Sequence, residues 1–179
     1  KHGITKVKDP GSALTHFIAM ILAIIAAMPL LSKAGHDSGH MRISALAIFI
    51  LSMIGLYAAS TIYHTLDISP KINKLLRKID HMMIFILIAG TYTPVCMIVL
   101  GDKTGWTMLT LVWGIAIVGI LINALWITCP KWFSSLIYIA MGWVCILAIT
   151  KILSSMPRAG FMWLLAGGII YTAGGIIYA

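Results

Sequence analysis

Six stretches without a Lys, Arg, Asp or Glu constrain this chain more than any other feature: about Ser12 to Ser32, Ile43 to Leu66, Met82 to Leu100, Thr104 to Thr128, Trp132 to Thr150 and Ala159 to Ala179. Each is close to the ~20 residues that a helix needs to cross a bilayer. Hydrocarbon offers no partner for an open backbone amide or carbonyl, and the alternation of a barrel strand is absent from these runs, so each is expected to be helical. The expected fold is therefore an all-α, polytopic transmembrane helix bundle, with residues 1–179 forming a single transmembrane domain. Composition agrees: 60% of residues are hydrophobic, 10% are charged and the mean hydropathy is +1.00, far from the soluble norm of about 25% charged.

The breaks between spans carry local turn chemistry. Lys33 to Arg42 holds Gly, Asp and His, Asp67 to Lys78 holds Pro70, Gly101 to Lys103 is a short turn, and Cys129-Pro130-Lys131 and Met156-Pro157-Arg158 close the later connections. With six spans, Lys and Arg distribute as eight on the side of the N-terminal tail and five on the other. The positive-inside rule then places the N-terminus in the cytoplasm. The net charge of +8 reads as topology and contact with anionic membrane lipids, not as a nucleic-acid surface, because no continuous basic face is available. Cys96, Cys129 and Cys145 have no metal-finger spacing and, being odd in number in apolar surroundings, read as small packing residues. No cleaved signal is expected, since the first apolar run is as long as a span.

Polar groups inside such spans need a reason. The chain has no Glu, and its five acids are Asp9, Asp37, Asp67, Asp80 and Asp102. Four lie in or beside expected loops, which singles out Asp80 at the opening of the third apolar run. Ser60 and His64 stand four residues apart and share a helix face, with Tyr57 and Thr61 flanking it; Ser12 and His16 repeat the spacing in the first span. On the expected topology His16, His64, Asp80 and His81 all lie towards the cytoplasmic side. A neutral imidazole there is a candidate metal ligand, with Zn²⁺ the best match, or a side chain that snorkels to the interface; Ser60 orients a partner or bonds its own backbone. Asp80 reads as a helix N-terminal carboxylate, as a partner for Arg77 or Lys78, or as an acid orienting a metal-bound water. His81 points about 100° away from Asp80 and reads as packing or interface contact; His2, His36 and His40 read as solvated.

Three further features are structural. Thr91-Tyr92-Thr93-Pro94 predicts a kink in the third helix. Asn123 predicts an inter-helix hydrogen bond, and Trp106, Trp126, Trp132 and Trp163 read as interfacial belt residues. Gly167-Gly168 and Gly174-Gly175, seven residues apart, predict a face of the sixth helix against which a neighbour packs closely.

Taken together, Ser12-Ala13-Leu14-Thr15-His16, Ser60-Thr61-Ile62-Tyr63-His64-Thr65, Ile79-Asp80-His81, Ala89-Gly90-Thr91-Tyr92-Thr93-Pro94, Met141-Gly142-Trp143 and Gly167-Gly168-Ile169-Ile170-Tyr171-Thr172 resemble the bacterial hemolysin III family over nearly the whole chain. That family belongs with the adiponectin and progestin receptors and, more distantly, the alkaline ceramidases, all seven-helix proteins. The resemblance implies a multi-pass protein of the bacterial plasma membrane with a zinc site. In it His64 is a zinc ligand, Ser60 its motif partner and Asp80 the acid near the metal-bound water. It also implies a His-x-x-x-His pair in a seventh helix. No such pair follows His81 here, so a seventh helix is expected beyond Ala179, and the 179-residue chain is expected to bind zinc poorly. The leading functional expectation is a zinc-dependent intramembrane hydrolase of a lipid amide or ester, with Asp80 and Ser60 as its catalytic residues. The alternatives are a non-enzymatic pore-forming cytolysin and a lipid-sensing or membrane-homeostasis protein.

Overall fold

The computed structural model describes residues 7–37, 39–126 and 130–178. Cys129 and His2 lie outside them, as does the side chain of His36. Among the described residues there are six helices long and apolar enough to span a membrane and no strand. α1 is Pro10–Asp37 and α2 is His40–Thr65. α3 runs through Pro70–Pro94 and continues as a π-helical stretch, Val95–Leu100. α4 is Lys103–Leu125. α5 starts as Lys131–Gly142, tightens to a 3₁₀ stretch over Trp143–Ala148 and ends as Ile149–Ser155, and α6 is Arg158–Tyr178.

Consecutive helices pack side by side, most extensively α1 on α2, α2 on α3 and α3 on α4. α3 is the centre. Its Phe85, Ile88, Ala89, Tyr92 and Cys96 meet Met108, Val112 and Ala116 of α4 and Tyr138, Met141, Ala148 and Ile152 of α5 in one core. Small residues let the backbones approach: a Cβ on Gly90 would fall on the Ser52 side chain of α2, and one on Gly119 would fall on the Phe85 ring. The large apolar side chains left outside, such as Ile25, Met28, Leu51, Leu125 and Ile170, face what a bilayer supplies in place of a core.

α3 begins at Pro70, not at Met82. Ser69 caps it, its hydroxyl accepting from the Ile72 N–H at 3.3 Å, and Pro70 sits at the first helical position, where a missing N–H costs nothing. The expected loop with Lys71, Lys74, Arg77 and Lys78 is therefore helical. Lys78 bonds the Ala124 carbonyl at the C-terminus of α4 at 2.7 Å, so it satisfies an orphan carbonyl and is not the partner of Asp80. α5 likewise runs to Ser155 beyond its expected end at Thr150, since Lys151 finds a partner: its ammonium binds Asp102, which itself caps α4 through the Thr104 and Gly105 N–H groups. The Lys151 contact, ahead of those backbone bonds, holds the Asp102 carboxyl below the usual carboxylate range.

The kink expected at Pro94 takes the form of the π-helical turn that follows it. Pro94 has no N–H to give, and Gly101, in the left-handed conformation at φ 61°, ends the helix by donating to the Cys96 carbonyl at 3.1 Å. Asn123 bridges helices as expected, accepting from the Ser134 hydroxyl of α5 at 3.5 Å. Of the four glycines in the two Gly-Gly pairs of α6, Gly175 meets a neighbour, Ile139 of α5, whereas a Cβ on Gly167, Gly168 or Gly174 would meet nothing within 4 Å.

Candidate functional site

The helices bring a polar layer together at the end of the bundle where α1 begins and α2 stops. The residues before α1 lie across the last turn of α2. Asp9 N–H donates to the His64 carbonyl at 2.9 Å and Lys8 N–H to the Thr65 carbonyl at 3.4 Å, two of the carbonyls that a helix C-terminus leaves without an internal partner. The Lys8 ammonium sits 3.6 Å from the centroid of the Tyr63 ring. That position also suits a cation near the negative end of the α2 dipole.

Asp9 has two side-chain partners. Its carboxylate accepts from the Ser12 hydroxyl at 2.8 Å and lies 3.1 Å from His64 Nδ1. The Ser12 hydrogen bond, with the contact from His64 adding to it, holds the Asp9 carboxyl below the usual carboxylate range. Ser12 therefore serves the start of α1, and its four-residue spacing to His16 carries no contact between the two. His16 instead reaches across to α2: its Nδ1 is 2.5 Å from Ser60 Oγ. Its ring stands edge-on to His64, with centroids 5.6 Å apart, and 5.9 Å from the ring of Tyr57.

Ser60 is the hub of the layer. It is 3% exposed, touches His16 on one side and faces the Asp80 carboxylate of α3 on the other. Asp80 is also buried, with its Oδ2 3.4 Å from His81 Nδ1 and His64 close enough to act on its charge. His81 thus borders the acid, and its backbone carbonyl accepts from the Tyr138 hydroxyl at 2.9 Å. His40 is exposed at the opposite end of α2. The three residues singled out in the sequence, Ser60, His64 and Asp80, lie within one cluster completed by His16, His81 and Asp9.

Asp9 escaped sequence reading because it looked like one of four loop acids. The available signal was Asp9-Pro10-Gly11-Ser12, an acid just before a helix-initiating Pro with a hydroxyl three residues on. Tyr92 belongs to the kink and family motifs, but its hydroxyl has a role without a sequence signal. Its hydroxyl, from α3, donates to the Gly142 carbonyl at 2.6 Å and accepts from the Cys145 N–H at 2.9 Å. A side chain inserted into a helical ladder bends it, which accounts for the 3₁₀ stretch of α5 beginning at Trp143. The Tyr171 ring of α6 packs against Gly142, where a Cβ would come within 2.6 Å of it.

The donors suit zinc in kind but not in number. Imidazole and carboxylate groups are zinc ligands, yet among the described residues no three His, Cys, Asp or Glu side chains are grouped so as to hold a metal ion. The His-x-x-x-His pair that the resemblance implies has no counterpart among them.

Comparison with known proteins places the chain. A family model described as Haemolysin-III related matches residues 4–179. Hemolysin-3 of Bacillus cereus is 39% identical over 171 residues, covering 96% of this chain and 78% of that protein. The Hemolysin-3 homolog of Bacillus subtilis (strain 168) is 36% identical over 171 residues, covering 96% and 80%. With six membrane-spanning helices and a match over nearly its whole length, the chain belongs to the haemolysin III-related family.

Proposed function

We propose that the polar layer is the reaction centre of a zinc-dependent hydrolase acting on an amide or ester bond of a membrane lipid. The observation that carries this reading is the convergence of Ser60, His64 and Asp80, from two helices, on one depth of the bundle. Buried ionisable groups at such a depth are expensive and mark function more often than packing. In this reading Asp80 accepts a hydrogen bond from the attacking water, and Ser60 holds Asp80 and His16 in register. His64 supplies an imidazole nitrogen.

The described side chains alone do not complete a zinc centre, so metal content is the decisive measurement. Full-length protein isolated from its own membrane is expected to carry zinc that His64→Ala removes. Protein without zinc, or with zinc unchanged by His64→Ala, would sink the metal assignment. The name of the two relatives supports a second reading, membrane lysis without turnover. Dose-dependent vesicle leakage indifferent to His64 and Asp80 would favour it.

We place the N-terminus on the cytoplasmic side of the bacterial plasma membrane, because the basic residues Lys71, Lys74, Arg77 and Lys78 stand at the same end as Lys8. A phosphatase reporter active only outside the cytoplasm, fused within the connection between α1 and α2, is expected to be active. An inactive reporter there, with activity from a fusion between α2 and α3, would reverse the orientation.

A further inference from the structure

The geometry points to Asp9 as a positioning residue that fixes the ring of His64, holding the proton on Nδ1 and leaving Nε2 as the nitrogen available for chemistry. Three contacts carry the inference. Asp9 Oδ2 lies 3.1 Å from His64 Nδ1. The Asp9 N–H is bonded to the His64 carbonyl at 2.9 Å, so the same residue grips both the backbone and the ring of its partner. The carboxylate is aimed by the Ser12 hydroxyl at 2.8 Å, and the segment is tied down beside it by Lys8 on Tyr63 and on the Thr65 carbonyl.

An ionised carboxylate only accepts hydrogen bonds, so the nitrogen facing it must carry the proton. Which imidazole nitrogen is free is set by the bond that the other one makes. A histidine tethered at ring and backbone also loses the rotamer freedom that a side chain in the last turn of a helix would otherwise keep. Carboxylates in this position behind a working imidazole fix its tautomer and orientation, and their removal typically weakens the site about 10–100-fold. Asp9 lies outside the apolar spans and far in sequence from His64, so the α1–α2 pairing creates the arrangement.

The inference rests on the proposed function only in taking His64 as a working imidazole; the tautomer itself can be read without any metal or substrate. The test is the ¹⁵N spectrum of the full chain in lipid nanodiscs, with histidine ring nitrogens labelled and His64 assigned by its loss in His64→Gln. His64 of the unsubstituted protein is expected to carry its proton on Nδ1. In Asp9→Ala the population is expected to move to the Nε2–H tautomer or to an exchanging mixture. Ser12→Ala, which keeps the carboxylate and removes only its aiming bond, is expected to leave Nδ1–H predominant. A proton on Nε2 in the unsubstituted protein overturns the proposal whether or not the variants fold, and so does a spectrum that Asp9→Ala leaves unchanged. Absence of zinc or of lipid turnover in the same samples would bear on the proposed function alone and leave this one standing.

Discussion

Asp80→Asn is expected to lower lipid hydrolysis by about 10²–10⁴-fold, the usual contribution of a positioned general acid or base. The substitution keeps the size of the side chain and leaves a carbonyl oxygen facing Ser60, so the bundle should stay folded. It removes the anion that lies 3.4 Å from His81 Nδ1 and within electrostatic reach of His64, and with it one of the two carboxylates of the layer, groups that accept stronger hydrogen bonds than neutral ones. Fatty-acid release from vesicles carrying amide-linked and ester-linked lipids measures the effect, with thermal unfolding in the same nanodiscs as the control. Turnover unchanged by Asp80→Asn in a folded protein would remove Asp80 from the chemistry. Leakage of those vesicles with no fatty acid released would move the balance to the lytic reading.

Tyr92→Phe is expected to be the more damaging change to the fold. The ring keeps its place in the core, so no cavity opens, but the Gly142 carbonyl and the Cys145 N–H lose the hydroxyl that serves both. Gly142 keeps the weak Cys145 thiol donor at 3.5 Å, and the Cys145 amide loses the phenol oxygen that accepts from it in a part-buried site. A buried group left unsatisfied costs about 1–3 kcal/mol, and in hydrocarbon water cannot take its place. Thermal unfolding should shift down accordingly, and the Cys145 amide should exchange with solvent faster. Unchanged stability with an unchanged exchange rate at Cys145 would show that the phenol does not hold the break in α5.

The spans were legible because a bilayer demands one thing of a sequence, a run of about 20 residues without charge. Their limits were not, because a helix end is decided by caps: Ser69 and Pro70 start α3 in a basic stretch that hydropathy treats as loop, and Lys151 extends α5 by pairing with Asp102. The polar layer was half legible. His64 and Asp80 stood out because an ionisable group in an apolar run is conspicuous. Asp9 did not, because its role comes from lying across a helix more than fifty residues away. Ser12 and His16 show the limit of spacing as a guide: they share a face, yet Ser12 turns to Asp9 and His16 to Ser60. Tyr92 gave no sign, because a tyrosine that fills a gap in another helix looks like any core aromatic until the two helices are placed together.

The depth of Ser60 and His16 bears on which bonds the proposed hydrolase would reach. At 1.5 Å per residue, His16 lies about 9 Å along α1 from Pro10, and Ser60 about 8 Å back from the end of α2. A hydrocarbon core of ~30 Å has its midplane some 15 Å from either face, so the layer sits above the centre of the bilayer. Linkages next to the headgroup lie nearer the face than that, so a lipid would have to sink within its own leaflet to bring one to the layer. The acyl-chain ends meet near the midplane, below it. If the layer is the proposed reaction centre, its height sorts bonds by how far they lie from the water before anything else about them is recognised.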